Sequence, residues 1–231
     1  MKKIISVLVI VLLVSALAAF TLSGCKLFDN MEISGDGHLE ITADTKEDCE
    51  TLLNNFLEDS LKDINVVVTA KLNGENYYVE TISGDTGLLA FSDGFTVFTF
   101  VQGDKYCLRC QEQVDGEVVD EQSKELYDSY HCNFLLDVKA PFSNEGTFAA
   151  QMITDDHDET KGGNTVTTSQ STFTLTVTME EGTITVNGTA VNGLVQSVTL
   201  NSQMLGGVTN LALTFAYGNA NPVDPFAGEN E

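Results

Sequence analysis

Apolar side chains recur with three different spacings along the chain. An uncharged stretch runs from Ile4 to Leu22. Apolar residues then follow a helical spacing between residues 49 and 61, alternate with polar residues from Ile64 onward, return to helical spacing over 121–138, and alternate again to Tyr217. This order predicts an amino-terminal apolar segment followed by one α+β domain, in which two helices accompany antiparallel strands.

The first helix is predicted to begin after Thr45, because Thr45 and Asp48 have the spacing of a capping box. Its apolar face consists of Cys49, Leu52, Leu53, Phe56, Leu57 and Leu61. A second helix is predicted over 121–138 and ends before Pro141, which cannot continue it. The apolar face of this helix consists of Leu126, Tyr127, Tyr130, Phe134, Leu135 and Val138.

Alternation predicts strands from Ile64 to Leu72 and over 77–83, 87–92, 95–102 and 105–114, separated by turn residues. Later in the chain Phe173, Leu175 and Val177 alternate with threonines, which is typical of a sheet with one dry face. The predicted fold is a large curved antiparallel sheet, an open half-barrel, with two helices packed on its concave side.

Two helices of this length, each roughly 25 Å long, are too small to cover one face of a sheet of about ten strands. We therefore expect an apolar concavity that holds a lipid or another hydrophobic ligand. The residues predicted to line it are Val66, Val68, Phe173, Leu175, Val177, Val198, Leu200, Leu213 and Phe215.

The amino terminus has the layout of an export signal, in which Lys2 and Lys3 precede the apolar run. A run of this length is also long enough to remain as a membrane-spanning helix. The next residues, Leu22-Ser23-Gly24-Cys25, resemble the lipobox of bacterial lipoproteins. The resemblance implies cleavage after Gly24, a diacylglyceryl group on Cys25, and a further acyl chain such as palmitate.

We therefore divide the chain into a cleaved signal peptide at 1–24, a lipidated tether at 25–37 and a single domain at 38–231. Two or more acyl chains hold a protein stably on a membrane. The expected location is the cell membrane, lipid-anchored, with the domain on the extracytoplasmic side.

The chain is strongly acidic, with a formal net charge of −23. This charge excludes nucleic acid as a partner, since binding to phosphates needs clustered basic residues. It also repels anionic lipid head groups and favours a soluble monomer.

Four cysteines remain after Cys25, namely Cys49, Cys107, Cys110 and Cys132. In an exported protein they allow up to two disulfides, with three possible connectivities. A redox role for Cys107 and Cys110 is the alternative, but strand residues three apart point to opposite faces.

Candidate metal ligands are Cys107, Cys110, His131 and Cys132, but adjacent His and Cys ligands fit a tetrahedral zinc site poorly. The acidic run at 155–159 suggests calcium or, alternatively, a solvated hairpin tip. We predict no metal and no cofactor. The usual nucleophile and phosphate-loop motifs are absent from the sequence, so we predict no enzyme activity.

The order of elements, and the ending from Leu211 to Pro225, are similar to lipoproteins of the LolA/LolB and LppX/LprG type. That resemblance implies an unclosed barrel around a hydrophobic cavity and a carrier of lipid or lipoprotein. The chain departs from such carriers in having Arg109 as its single arginine, which argues against anionic cargo.

The leading expectation is thus a membrane-anchored, non-enzymatic lipoprotein that binds a hydrophobic ligand. The alternative is a structural or interaction lipoprotein of the cell envelope with a filled core and no small ligand. A redox or metal enzyme is a third class, which depends wholly on the cysteines.

Overall fold

The computed structural model describes residues 31–33, 37–62, 64–111, 118–161 and 164–227. Thirteen strands in this part of the chain form a single sheet. The strands are β1 (Met31–Ile33), β2 (His38–Ala43), β3 (Asn65–Leu72), β4 (Glu75–Ser83), β5 (Thr86–Phe91), β6 (Thr96–Gln102), β7 (Lys105–Gln111), β8 (Val118–Gln122), β9 (Thr147–Lys161), β10 (Asn164–Met179), β11 (Gly182–Val191), β12 (Leu194–Met204) and β13 (Gly207–Tyr217). The helices are α1 (Lys46–Leu61), α2 (Lys124–His131) and α3 (Asn133–Lys139), followed by a 3₁₀ turn at Ala140–Ser143.

Neighbouring strands pair in the order β1-β2-β9-β10-β11-β12-β13-β3-β4-β5-β6-β7-β8. The pairings are antiparallel, and β1 and β8 lie at opposite edges, so the sheet is open. The predicted open antiparallel sheet is therefore confirmed. The last strand lies in the middle of this sheet, since β13 pairs with both β12 and β3.

Helix α1 begins where the capping box predicts. The Thr45 hydroxyl accepts a hydrogen bond from the Asp48 N–H at 3.2 Å, which satisfies one of the free donors of the first turn. The predicted apolar face is buried from Cys49 to Leu57, whereas Leu61, the last residue of the helix, is exposed.

The prediction of one continuous helix over 121–138 is wrong. Residues up to Gln122 belong to β8, and the following helical region is divided at Cys132, whose φ of −135° and ψ of 61° are not helical. The break is stabilised from outside the helix, because the first N–H groups of α3 donate to the carboxyl group of Glu80 on β4. The spacing of apolar residues along the sequence does not reveal this tertiary contact.

The acidic run at 155–159 was expected at a hairpin tip, but it lies within β9. Its residues pair with β10, for example Glu159 with Val166, so the hairpin continues beyond them. The threonine-rich start of β10 provides the partner strand, because threonine suits a half-exposed pleated surface. Similarly, the range predicted as tether contains the short edge strand β1.

The helices and the inward-facing strand residues share one hydrophobic core. Phe56 of α1 stacks on Phe173 of β10, with ring centroids 5.3 Å apart. Phe134 of α3 meets Phe215 of β13 edge to face, also at 5.3 Å. Both helical regions are therefore held on the sheet by aromatic contacts, while their placement on a concave side stays a prediction.

Candidate functional site

The structure brings the nine predicted ligand-contacting residues together on the apolar face of the sheet. Eight of them belong to the buried core, and Leu200 is partly buried against it. Most are between 0% and 1% exposed, and Phe215 at 7% is the most open of the eight. These side chains are shielded chiefly by other parts of the same chain.

Phe56 occupies the space in front of Phe173 where an apolar ligand was expected. Its ring also lies against Gly188 of β11, the residue that pairs with Phe173. A Cβ atom added at Gly188 would lie 2.6 Å from that ring, which is closer than packed atoms approach. The absence of a side chain at Gly188 thus makes room for Phe56, and α1 sits directly on the sheet.

A cleft with a volume of about 340 Å³ opens beside the second half of α1. Its lining consists of Asn55, Phe56, Asp59, Met152, Thr154, Ser169, Ser171, Ala190, Asn192 and Gly193. None of the nine predicted ligand residues is among them. The cleft forms where the inward-facing positions of β10 change from Phe173 and Leu175 to Ser171 and Ser169, so its walls are largely polar.

Several of the polar groups in this cleft already have partners. Asn192 accepts from the Ser169 N–H at 2.9 Å, and the hydroxyls of Thr154 and Ser171 lie 2.9 Å apart. One carboxylate oxygen of Asp59 accepts from Lys62 at 3.0 Å. The polar groups of this cleft are therefore largely satisfied within the chain, and its polar walls do not suit an acyl chain.

Glu80 is a buried carboxyl group that the sequence analysis missed. It is 1% exposed, and its two oxygens accept from the N–H groups of Asn133 at 2.7 Å and Phe134 at 3.1 Å. Burial raises the pKa of Glu80 to about 8, against the lowering effect of those two hydrogen bonds. Glu80 alternates with Tyr78 and Ile82 along β4, so all three side chains point to the buried face of the strand. This spacing is the sequence signal by which the buried acid could have been found.

Asp137 lies close to Glu80 and accepts a hydrogen bond from the Tyr78 hydroxyl at 2.6 Å. Burial raises the pKa of Asp137, and burial together with the Asp137 charge raises the pKa of Tyr78. Glu80 lies on β4 beneath α3, Asp137 belongs to α3, and both acids bind groups of the chain itself. The arrangement explains the division of the helix and does not present a general acid to a cleft.

His131 is held in place by ordinary structural contacts. Its two ring nitrogens lie 3.0 Å from the Thr99 hydroxyl and 3.0 Å from the Gly84 carbonyl oxygen, and the ring stacks on Tyr127. Burial lowers the pKa of His131 and so favours the neutral ring. It is a packed neutral histidine with both nitrogens engaged.

The four cysteines are distributed over three parts of the fold. Cys107 and Cys110 are on β7, as the strand pattern predicts, whereas Cys49 is on α1 and Cys132 links α2 to α3. Burial raises the pKa of the Cys49 thiol to about 11 and that of Cys132 to about 12, which disfavours reactive thiolates. The predicted disulfides stay a prediction. Within the described ranges, no cluster of three or more His, Cys, Asp or Glu side chains is arranged to hold a metal ion.

The lipobox and Cys25 precede residue 31, so these predictions lie outside the described residues. Among the helices of the described part, none has both the length and the apolar character needed to cross a bilayer.

Comparison with known proteins identifies no family: neither a family model nor a curated protein matches the chain. A solved structure, the hypothetical lipoprotein YmcC from Escherichia coli (K12), aligns with 74% of this chain and 97% of its own, at 11% sequence identity and a TM-score of 0.28. A TM-score of that size carries no argument about fold or function.

Proposed function

We propose that this chain is a non-enzymatic lipoprotein of the bacterial cell envelope, anchored through acylated Cys25 and acting as a structural or interaction module. In this proposal it carries no lipid in its core. The acyl chains of the anchor provide its stable contact with the membrane, and the acidic domain faces the extracytoplasmic space.

The observation that carries the proposal is the position of Phe56. A carrier needs open apolar space in front of the inner sheet face. At Phe173 this space is taken by the stacked Phe56 ring, which Gly188 accommodates. The Phe56 ring of α1 thus occupies the position that an apolar ligand would occupy in a carrier.

The cleft beside α1 supports the same proposal. It is open to solvent and presents Asn55, Asp59 and Asn192 at its walls. An acyl chain placed there would remove these polar groups from water without offering hydrogen bonds in return, which costs free energy.

Native mass spectrometry of the mature domain with Cys25 replaced by serine tests the filled core. We expect the mass of the bare polypeptide after expression in bacteria, and no saturable binding of a fluorescent fatty acid. Co-purified lipid at one molecule per chain would instead establish the carrier function.

Phe56→Ala is the matched control, because it removes the ring that fills the space above Gly188. Such truncations typically destabilise a protein by about 3–5 kcal/mol and leave a cavity that admits apolar molecules. The variant should therefore bind the fatty acid probe where the parent does not, with circular dichroism confirming that it is folded.

Growing cells with a radiolabelled fatty acid tests the acylation of Cys25. The parent chain should be labelled and found in the membrane fraction. Cys25→Ser should abolish labelling, because the thiol that accepts the diacylglyceryl group is removed. Persistent labelling of this variant would refute the assignment of Cys25.

A further inference from the structure

The turn between β12 and β13 carries the most exposed apolar side chains of the described residues. Leu205 is 90% exposed and Val208 is 70% exposed, on either side of Gly206 and Gly207. We call residues 204–208 the β12–β13 tip. Exposing a leucine and a valine so fully is unfavourable in water, so a contact that covers them is expected to stabilise the protein.

The tip stands clear of the rest of the domain. A Cβ atom added at Gly206 or Gly207 would meet nothing within 4 Å. The chain is nevertheless well fixed, since the Leu205 N–H donates to the Glu181 carbonyl oxygen at 3.0 Å and Met204 pairs with Gly182. The two apolar side chains therefore project from an ordered hairpin.

The strand register relates this tip to the membrane anchor. Met31 is level with a row of residues that crosses the sheet: Ile41, Met152, Phe173, Gly188 and Val198. Strand β12 runs toward one end of the sheet from Val198 to Met204. Strand β1 runs toward the same end when it is followed backward from Ile33 to Met31. The chain thus enters the sheet from the end that bears the tip.

The segment from Cys25 to Met31 can extend about as far as the tip projects beyond the level of Met31. Six residue steps separate Met31 from Cys25, which span at most about 21 Å. Six steps also separate Val198 from Met204, about 20 Å along a strand. A bilayer that lies across this end of the strands and holds the acyl chains of Cys25 is therefore within reach of the tip.

We propose that Leu205 and Val208 insert into the bilayer leaflet that holds acylated Cys25, which makes the β12–β13 tip a second membrane contact. This inference rests on the proposed anchoring. Glu180 and Glu181 lie in the neighbouring turn, so the contact favours zwitterionic over anionic head groups. The tip and the anchor together fix which end of the sheet faces the membrane.

The chain contains no tryptophan, so one introduced tryptophan reports on its own surroundings. Leu205→Trp places the reporter at the tip. The matched control is Val166→Trp on β10, because Val166 is also an exposed aliphatic strand residue, at 47%, but lies toward the opposite end. Both variants, as mature chains acylated at Cys25, are reconstituted into phosphatidylcholine vesicles, with and without brominated acyl chains.

We expect the emission of Leu205→Trp to shift to shorter wavelength on vesicles and to fall by more than half with brominated lipid. Val166→Trp should show neither change. Adding phosphatidylglycerol should weaken the quenching of Leu205→Trp, because of the acidic neighbours.

The other outcomes separate the tip from the anchor. If both variants float with vesicles while Leu205→Trp emits as in water, the tip proposal is overturned and the anchor stands. Equal quenching of both variants also overturns it, since the contact would then be non-specific. If neither variant floats with vesicles, both the anchoring and the tip proposal are wrong.

Discussion

Glu80 is the buried acid whose ionisation affects stability most directly. Its pKa rises from an ordinary value near 4.5 in the unfolded chain to about 8 in the folded protein, because burial penalises the charged form. Above pH 4.5 the unfolded chain releases this proton while the folded protein retains it. Its contribution to the free energy of unfolding is therefore full below pH 4.5 and is lost as the pH rises toward 8.

Glu80→Gln should flatten this dependence, because glutamine does not ionise and its carbonyl oxygen still accepts from one of the two N–H groups at the start of α3. The parent should lose on the order of 1 kcal/mol per pH unit through Glu80 as the pH rises from 5 toward 8. Urea unfolding at several pH values from 5 to 8 measures the slope. Glu75→Gln, an exposed site on the same strand, is the control. A slope that Glu80→Gln leaves unchanged would contradict the assignment.

Single residues were predictable where a local pattern determines them. Thr45 and the buried face of α1 follow from capping and helical spacing. Glu80 and the contact between Phe56 and Gly188 were not predicted, because each joins elements that are far apart in the chain. The buried parity of Glu80 on β4 was nevertheless visible, and a carboxyl group there requires a partner.

At the scale of elements, the carboxy-terminal segment after β13 is fastened back onto the sheet. The Ala220 N–H donates to Asn65 at 2.9 Å, and Phe226 is buried. Arg109 on β7 donates to Asp224 at 2.6 Å and to Asp120 on β8 at 2.7 Å. The single arginine of the chain therefore joins the segment after β13 to β7 and β8.

Asp224→Asn should loosen this segment, because it weakens the ion pair with Arg109. Asp224 is 18% exposed and Asp120 is 51% exposed, so water screens the second pair more strongly. We expect a loss of about 1 kcal/mol in unfolding free energy. Faster hydrogen exchange over 219–227 should accompany it. Asp120→Asn is the control, and an equal effect from both substitutions would contradict this account.

Elements were predicted best where spacing alone decides them. The five strands predicted between residues 64 and 114 are found within a few residues of their predicted ranges, and residues 112–114 lie outside the described part of the chain. The helix over 121–138 was misjudged, because its break at Cys132 depends on Glu80. The predicted ligand residues share a face as expected, but spacing along the chain does not reveal that Phe56 covers it.

For the whole molecule, charge is the dominant surface property. A formal net charge of −23 on one domain creates repulsion among its carboxylates, and this repulsion lowers the stability of the compact state. Dissolved salt screens it, since the Debye length falls to about 10 Å at 0.1 M.

The melting temperature at pH 7 should therefore rise with sodium chloride from 10 to 300 mM. The matched test is Glu180→Gln with Glu181→Gln, which removes two neighbouring charges and should reduce the salt dependence. Measurements near the isoelectric point of about 4.1 provide the control, because little net charge remains there. A melting temperature that is independent of salt at pH 7 would show that repulsion is unimportant.

The central position of β13 governs the order in which the sheet can form. Strands β3 to β8 lie on one side of β13, and β1, β2 and β9 to β12 lie on the other. Leu213 of β13 pairs with Ala70 on the first side and with Val198 on the second. The two halves cannot join before residues 207–217 are available, and such distant pairing makes folding slow. In the export that we propose, the two groups of strands therefore cannot join until β13 is present, which delays completion of the sheet.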